Sequence, residues 1–374
     1  MNKQKVVITR STGIVDDSRT IKLAKELCSL GYDVDVLGWD RKNQHASHET
    51  IEVGDGVINI SFFKQPSVYG SGLKNIFKLL KFQKWLKNNL KKYLPKTIVH
   101  ACDYDTGNPA LKVCKKKDFK LVYDIFDFYT DCHKIPFGLG KFIRKQEIKV
   151  INNADCTIIC TEQRVEQIKG SKPKKVVVIH NTPKFDLDIQ NRQENKNLKV
   201  CFIGALLPDR LIGEILQEIP NNKIDFVFGG NGPFEDEINK LAQNNSNVEY
   251  VGQQPYDKVL EIENGCDVLF ATYNPEINNH KFSAPNKFYE AGCLSKPIIV
   301  CKNTGIDKLV KEYNTGLVCD YSAKDFFEKL NELNNNKDLI KELGKNGLIA
   351  YNNNFSWEIM KERIKSVYCS LSEG

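Results

Sequence analysis

The sequence predicts an α/β protein built from two tandem, doubly wound Rossmann-like domains. Three observations lead there. The chain has 374 residues, room for two domains of ~100–200 residues each. Short apolar, β-rich runs alternate with helical stretches along its length, the pattern of βαβ units in a parallel sheet. The alternation is interrupted by a polar segment, Asp186 to Asn197 (DLDIQNRQENKN), which reads as a linker. This places an N-terminal domain at 1–185 and a C-terminal domain at 186–354, with a helical stretch over 355–374 able to pack back on the first.

The elements follow in order. Lys5–Thr9 reads as the opening strand. Asp16-Asp17-Ser18 offers an N-cap, Ile21, Leu23, Ala24, Leu27, Cys28 and Leu30 carry helical periodicity, and Gly31 ends the helix. Strands are then expected at Tyr32–Leu37, Val57–Phe62, Thr97–Ala101, Lys120–Ile125, Cys156–Cys160 and Lys175–Ile179. Beyond the linker they recur at Lys199–Gly204, Asp225–Phe228, Val248–Val251, Asp267–Ala271, Pro297–Val300 and Gly316–Cys319. Ligands of such sheets bind at the carboxyl ends of the strands. Two domains facing across a cleft can hold a donor on one side and an acceptor on the other.

Composition narrows the function classes. Hydrophobic content of 41% and charged content of 27% exclude a disordered, collagenous or coiled-coil chain. No apolar run approaches the ~18 residues of a membrane span, and the start, Met1 to Ile8, is too short for a signal-peptide core; cytoplasmic residence is expected. The twelve cysteines include no Cys-x-x-Cys pair and read as free thiols in a reducing compartment. The six histidines do not cluster with them, so no metal site is expected. Residues 1–185 hold 33 Lys+Arg against 19 Asp+Glu, and 186–374 hold 21 against 28. A basic half invites nucleic acid, an anionic membrane or an anionic substrate.

Two stretches carry candidate chemistry. Gly229-Gly230-Asn231-Gly232-Pro233 follows a strand and precedes a helix; it is either a tight turn or a loop whose amides approach a phosphate. Ser283-Ala284-Pro285-Asn286-Lys287-Phe288-Tyr289-Glu290-Ala291-Gly292 places Pro285 at a helix start, with Lys287 and Glu290 three apart on one face. That pair is either a surface ion pair or a bipartite reader, the ammonium for a diphosphate and the carboxylate for vicinal ribose hydroxyls.

On these residues the sequence resembles family 4 of the retaining glycosyltransferases, whose GT-B fold has two Rossmann-like domains. The family's Ser-Pro-x-Lys-x-x-Glu element is matched by Ala284 to Gly292, and its Gly-x-Pro-Val/Ile by Ser295-Lys296-Pro297-Ile298. Asp17-Ser18-Arg19, Ala154 to Glu162, His180-Asn181-Thr182-Pro183, Gly230 to Pro233 and Val251-Gly252 also fit, in order and in spacing. The resemblance implies that Glu290 grips the nucleotide ribose, with Pro285 and Asn286 opening the donor helix. It implies that Arg210 and Lys287 hold the donor diphosphate, and that Gly13, Gly230 and Gly232 bring backbone close to the donor. It implies retention of configuration and no metal or other cofactor.

The sequence also departs from the family. Phe282 stands where many members have a sugar-contacting Glu, and Ala205 where a basic residue often follows the first glycine of the C-terminal domain. Phe126-Asp127 occupies the place of an N-terminal-domain histidine, leaving Asp127 or His100 as candidate catalytic groups; His100 also reads as a packed strand-end histidine. Asp103-Tyr104-Asp105 mimics a metal-binding Asp-x-Asp, but an acceptor-side or strand-capping role is expected.

Leu73 to Lys96 carries eight lysines and no acid. Most apolar residues fall on one arc and most lysines on the other, with Phe77 and Trp85 in or beside the lysine arc. This reads either as an ordinary surface helix or as a contact with anionic membrane through Lys74, Lys78, Lys81, Lys92 and Trp85. The expected function is transfer of a sugar from a UDP- or GDP-sugar to a saccharide or lipid-linked acceptor in surface polysaccharide assembly, at the inner face of the cytoplasmic membrane. A GT-B-like nucleotide-sugar epimerase is the alternative. A nucleic-acid-binding or scaffold protein ranks below both, since no nucleic-acid motif accompanies the basic charge.

Overall fold

The computed structural model describes residues 3–14, 18–67, 75–133, 135, 138–184, 195–219 and 223–372. The expected N-cap at Asp16 and Asp17, Lys74, and linker residues 186–194 lie outside them. The chain forms two compact units, Met1–His180 with Met360–Gly374, and Asn181–Ile359.

The first unit carries an eight-stranded sheet. Its strands are β1 (Lys5–Arg10), β2 (Asp33–Asp40), β3 (His48–Val53), β4 (Gly56–Lys64), β5 (Ile98–Cys102), β6 (Lys120–Ile125), β7 (Cys156–Ile159) and β8 (Val176–Val178), in the order β3-β4-β2-β1-β5-β6-β7-β8. All pairs are parallel except β3 with β4. That hairpin was not expected. Its turn, Val53-Gly54-Asp55-Gly56, places Gly54 at φ +54°, a left-handed conformation that glycine adopts without a Cβ penalty. The remaining strands lie within a few residues of their expected positions.

Helix α1 (Ser18–Ser29) ends at Gly31, φ +92°. Helices α2 (Ile76–Leu90), α3 (Asp103–Lys117) and α5 (Leu139–Asn153) supply buried residues to one core that includes Phe82, Leu86, Ala110, Val113, Val150 and Ile151; α4 (Tyr129–Cys132) and α6 (Arg164–Gln167) are single turns. Trp85 packs into that aromatic core, its ring 5.8 Å from Phe63 and 6.0 Å from Phe82. This corrects its expected place on the lysine face: a half-buried indole already supplied with aromatic partners is not an exposed anchor.

The second unit has a wholly parallel sheet of β9 (Lys199–Ile203), β10 (Asp225–Gly229), β11 (Val248–Tyr250), β12 (Val268–Ala271), β13 (Ile298–Cys301) and β14 (Gly316–Cys319), ordered β11-β10-β9-β12-β13-β14. Helices α7 (Ile212–Glu218), α8 (Glu235–Asn244), α9 (Tyr256–Asn264), α10 (Asn286–Cys293), α11 (Ile306–Tyr313), α12 (Ala323–Asn334) and α13 (Lys337–Ala350) complete the winding. Phe226, Phe228, Phe270 and Phe326 anchor its core. All twelve cysteines are free, and ten are buried.

The closing helix α14 (Trp357–Ser372) begins in the second unit, and its residues from Met360 onward belong with the first. Arg363 donates to the Val178 carbonyl at 2.9 Å, and the Tyr368 hydroxyl lies 2.8 Å from Nδ1 of His100. His100 is fully buried, and its Nε2 is 3.3 Å from Asp124. A proton on Nε2 for Asp124 leaves Nδ1 to accept from Tyr368. Burial alone would raise the Asp124 carboxyl, but Arg19, at 2.7 Å, and His100 hold it below its ordinary value. His100 is therefore a core residue with both ring nitrogens engaged, which corrects its candidacy as a catalytic group. Tyr368→Phe leaves Nδ1 buried and unpaired, which costs about 1–3 kcal/mol; urea unfolding monitored by circular dichroism should show the midpoint fall with the m-value unchanged.

Candidate active site

In each unit the strand order reverses once in the middle of the sheet. In the second unit the reversal lies between β9 and β12, and the loops leaving these strands are tied together. Asn274 donates its amide to the Asp209 carbonyl at 3.0 Å, and the Thr272 hydroxyl donates to the Arg210 carbonyl at 2.6 Å. Arg210, on the turn Pro208–Arg210, stacks its guanidinium 3.8 Å from the Tyr273 ring centroid. Its Nη1 is 2.9 Å from Nε2 of His280. His280 reaches the Asn274 carbonyl through Nδ1 at 2.8 Å, which places the proton on Nδ1 and lets Nε2 accept from Arg210. Tyr273 and His280 were not singled out in the sequence. The cue available was their position: both lie between a strand end and the Pro285 helix start.

The same β12 loop leads into α10. Pro285, at φ −63° and ψ 136°, precedes the first helical residue, the exposed Asn286. Lys287 and Glu290 share a face as expected, but the pair is not on the surface. Glu290 is fully buried, and the Lys287 ammonium lies 2.7 Å from its Oε2 and 2.6 Å from Oε1 of Glu263 on α9. The Tyr256 hydroxyl faces this cluster, burial and the charge of Glu290 raising its pKa. Burial, then the charge of Glu290, pushes Glu263 up to about 8. Burial would lower the Lys287 pKa, but the two carboxylates raise it. Glu263 had a readable signal: Tyr256, Val259, Leu260 and Glu263 fall at i, i+3, i+4 and i+7, placing a carboxylate on an otherwise apolar stripe.

Gly230 and Gly232 owe their identity first to backbone approach. A Cβ at Gly230, φ +107°, would stand 1.9 Å from the Gly204 carbonyl oxygen, and one at Gly232 would stand 2.4 Å from that of Leu206. The β10 loop thus leans on the β9 loop beside the strand reversal.

In the first unit the order reverses between β1 and β5. Ser11, after β1, donates to Asp105 Oδ2 at 3.0 Å, and Arg10 pairs with Asp103 Oδ2. Asp103 Oδ1 accepts the amides of Phe126 and Asp127 at 2.9 and 3.1 Å. Asp103 therefore ties the β5 loop to the β6 loop. Burial pushes its carboxyl up to about 6, against the pull of Arg10. The Phe126 ring lies 3.9 Å from the Arg10 guanidinium and 4.6 Å from that of Arg19. Asp127 is half-exposed and pairs with Arg164 at 3.3 Å. Gly13 is exposed with open space around it. The loops carrying Gly13 and Asp127 both leave the carboxyl ends of strands. A histidine missed in the sequence lies among these groups: His133 stacks on Tyr129 at 4.3 Å and is the strongest counterweight to the burial-raised pKa of Asp105.

Comparison with known proteins identifies the fold and family. The profile described as Glycosyltransferase Family 4 matches residues 18–182, and that of Glycosyl transferases group 1 matches residues 184–349. The chain is a family 4 glycosyltransferase. An uncharacterised glycosyltransferase of Methanocaldococcus jannaschii is 27% identical over 63% of this chain and 67% of its own. The capsular polysaccharide biosynthesis glycosyltransferase CapM of Staphylococcus aureus is 28% identical over 51% of this chain and 53%, about half, of its own. Among solved structures, the sucrose-phosphate synthase of Thermosynechococcus elongatus superposes with a TM-score of 0.76 at 16% identity, covering 99% of both chains. Anabaena HepE in complex with UDP gives 0.67 at 13%, covering 98% of this chain and 100% of that one. These likenesses show the GT-B fold.

In this glycosyltransferase, Gly230→Ala should lower the melting temperature by several degrees, because the added methyl meets backbone and the residue keeps a left-handed φ. Differential scanning calorimetry checks it. An unchanged melting temperature would mean that the loop tolerates a Cβ and that its glycines have another role.

Proposed function

We propose that this glycosyltransferase moves a sugar from a UDP- or GDP-sugar to a saccharide or lipid-linked acceptor in surface polysaccharide assembly, with retention of configuration and without a metal. The observation that carries the donor assignment is that the loop holding Arg210 and the loop leading into α10 are tied together at the β9/β12 reversal. A crevice at such a reversal is where open α/β sheets bind ligands, and here one of its loops holds a stacked guanidinium while the other opens a helix carrying Lys287 and Glu290. The likeness to CapM and to UDP-bound HepE supports the substrate class. The relatives and structures named above include no epimerase, and no observation favours that alternative.

On this reading, Arg210 and the exposed start of α10 meet the donor diphosphate, and Glu290 accepts from the ribose. The diphosphate gains negative charge as the glycosidic bond breaks, so a cation held beside it stabilises the transition state more than the ground state. The leaving phosphate takes the proton of the attacking acceptor hydroxyl. The first unit supplies the acceptor side, where Gly13 and Asp127 stand at strand ends and His133 follows α4.

A thermal-shift screen of UDP-, GDP- and ADP-sugars should pick out one nucleotide, because a ligand that binds only the folded state stabilises it by mass action. Glu290→Gln should then weaken that donor about 10- to 100-fold, the worth of a hydrogen bond to a charged group. EDTA should leave turnover unchanged. Activity abolished by EDTA and restored by manganese would overturn the metal-free reading.

Membrane contact remains part of the proposal, with a revised set of residues. At the start of α2, Phe77 is 75% and Leu80 55% exposed, and Lys81 and Lys84 lie on the same exposed face. Lys78 reaches the Pro66 carbonyl and Lys92 the Asn89 side chain. Two bare apolar side chains flanked by like-charged lysines suit an anionic bilayer, where each lysine contributes about 1 kcal/mol. Wild type should pellet with anionic but not neutral liposomes at low salt, and a Phe77→Ser, Lys81→Glu, Lys84→Glu variant should stay in the supernatant. Equal pelleting of the two proteins would leave α2 as ordinary surface.

A further inference from the structure

The ion cluster beneath α10 contains one more acid than the donor reading uses. Glu263 comes from a different helix, is fully buried, and approaches Lys287 as closely as Glu290 does. We propose that Glu263 is a positioning residue for the nucleotide-sugar donor, holding Lys287 between two carboxylates and, through its own proton, setting the charge that the donor diphosphate meets. The proposal rests on the donor assignment above.

The argument begins with charge. One ammonium between two ionised carboxylates leaves a net −1 in a site closed to water, where unbalanced charge is costly. A proton on one carboxyl brings the cluster to neutrality. The groups facing Glu263 decide which one. Glu290 and Lys287 approach from α10, with Cys293 further along that helix; Cys201 comes from β9; Tyr256 and Cys266 come from α9 and the residues that follow it. Lys287 is the cation in contact, and Glu290, the other carboxylate, raises the Glu263 pKa. Glu263 pushed up to about 8 carries the proton at neutral pH.

The second step is geometric. Oε2 of Glu290 is taken by Lys287 at 2.7 Å, and the Tyr256 hydroxyl faces the same carboxylate. An ammonium drawn only to Glu290 could close over both of its oxygens. Glu263 on the opposite side shares the ammonium and holds it at one of them. Lys287, in the first turn of α10, is also the member of the cluster with solvent access, its side chain 11% exposed against none for either glutamate.

The sign of the pH effect follows. Below about 8 Glu263 is neutral and the cluster has no net charge. Above it, Glu263 ionises and places a buried −1 beside the diphosphate site. Affinity for a nucleoside diphosphate should therefore fall as pH rises through that value, whereas affinity for the matching nucleoside, which lacks the diphosphate, should not. Glu263→Gln keeps the shape and holds the site permanently neutral.

The test is isothermal titration of wild type, Glu263→Gln and Glu263→Ala with UDP, GDP and the corresponding nucleosides between pH 7.0 and 8.8. Wild type should bind its preferred diphosphate roughly fivefold more weakly at the upper pH, in line with the ionisation of one neighbouring group. Glu263→Gln should give a flat profile with near-wild-type affinity at pH 7.0. Glu263→Ala, which removes the second anchor altogether, should weaken the diphosphate at both pH values. A wild-type profile that is flat, or a slope that persists in Glu263→Gln, overturns the role of Glu263 while leaving the donor assignment standing. Failure of wild type to bind either diphosphate overturns the donor assignment and this inference with it.

Discussion

The reversal of strand order in each sheet is the constraint on which the sites depend. A parallel sheet wound in one direction from β9 through β10 to β11, and in the other from β12 to β14, leaves its two middle strands to send their loops apart. A crevice opens between such loops because no helix crosses over it. The chain closes the bottom of that opening with polar contacts rather than with apolar packing: the Asp209 and Arg210 carbonyls accept from Asn274 and Thr272. The first unit solves the same problem between β1 and β5 with Ser11, Asp103 and Asp105. Residues far apart in sequence thus become neighbours through topology, and the glycines of the β10 loop are fixed by how closely that loop must lie against the β9 loop.

Placement at the reversal explains the chemistry of the surrounding side chains. Each unit puts guanidinium groups on an aromatic face, Arg210 on Tyr273 in one and Arg10 and Arg19 on Phe126 in the other. Stacking fixes the plane of the fork while its N–H groups point outward along the edges, the geometry suited to planar or tetrahedral anions. In the first unit those edges already meet Asp103 and Asp124; burial has raised Asp103, and also the neighbouring Asp105, while Arg19 holds Asp124 down. The balance of charge there therefore moves with pH.

Much of the fold was legible because parallel strands buried on both faces are continuous apolar runs: of the thirteen expected strands, Lys120–Ile125 and Gly316–Cys319 have the expected ends and the other eleven needed only their ends moved by a few residues, as in Tyr32–Leu37 becoming Asp33–Asp40. The strand His48–Val53 escaped because an edge strand paired on one side carries no such run; its residues alternate between exposed and partly exposed. The site was legible in part. Arg210, Lys287 and Glu290 were found by motif, but their surroundings were not, since Glu263, Tyr273 and His280 belong to no short pattern and reach the site through tertiary packing. Trp85 was misplaced because helical periodicity cannot tell an aromatic ring at the edge of a core from one in solvent, whereas for His100 the packed strand-end reading is the one the structure bears out.

The buried cluster under α10 bears on why a helix so short, Asn286 to Cys293, can present donor-binding groups at all. Eight residues make two turns, too few to be stable alone. Its residues from Lys287 to Cys293 are nonetheless all buried, so its position is set by the elements packed around it. Phe288 and Tyr289 fix it on one side against Phe355, and Gly292 lets it approach the backbone at Gly347. The ion cluster fixes it to α9. An apolar contact there would hold the helix equally well but would leave nothing to answer a ribose or a phosphate. A charged contact does both, at the cost of a proton that one of the glutamates must keep.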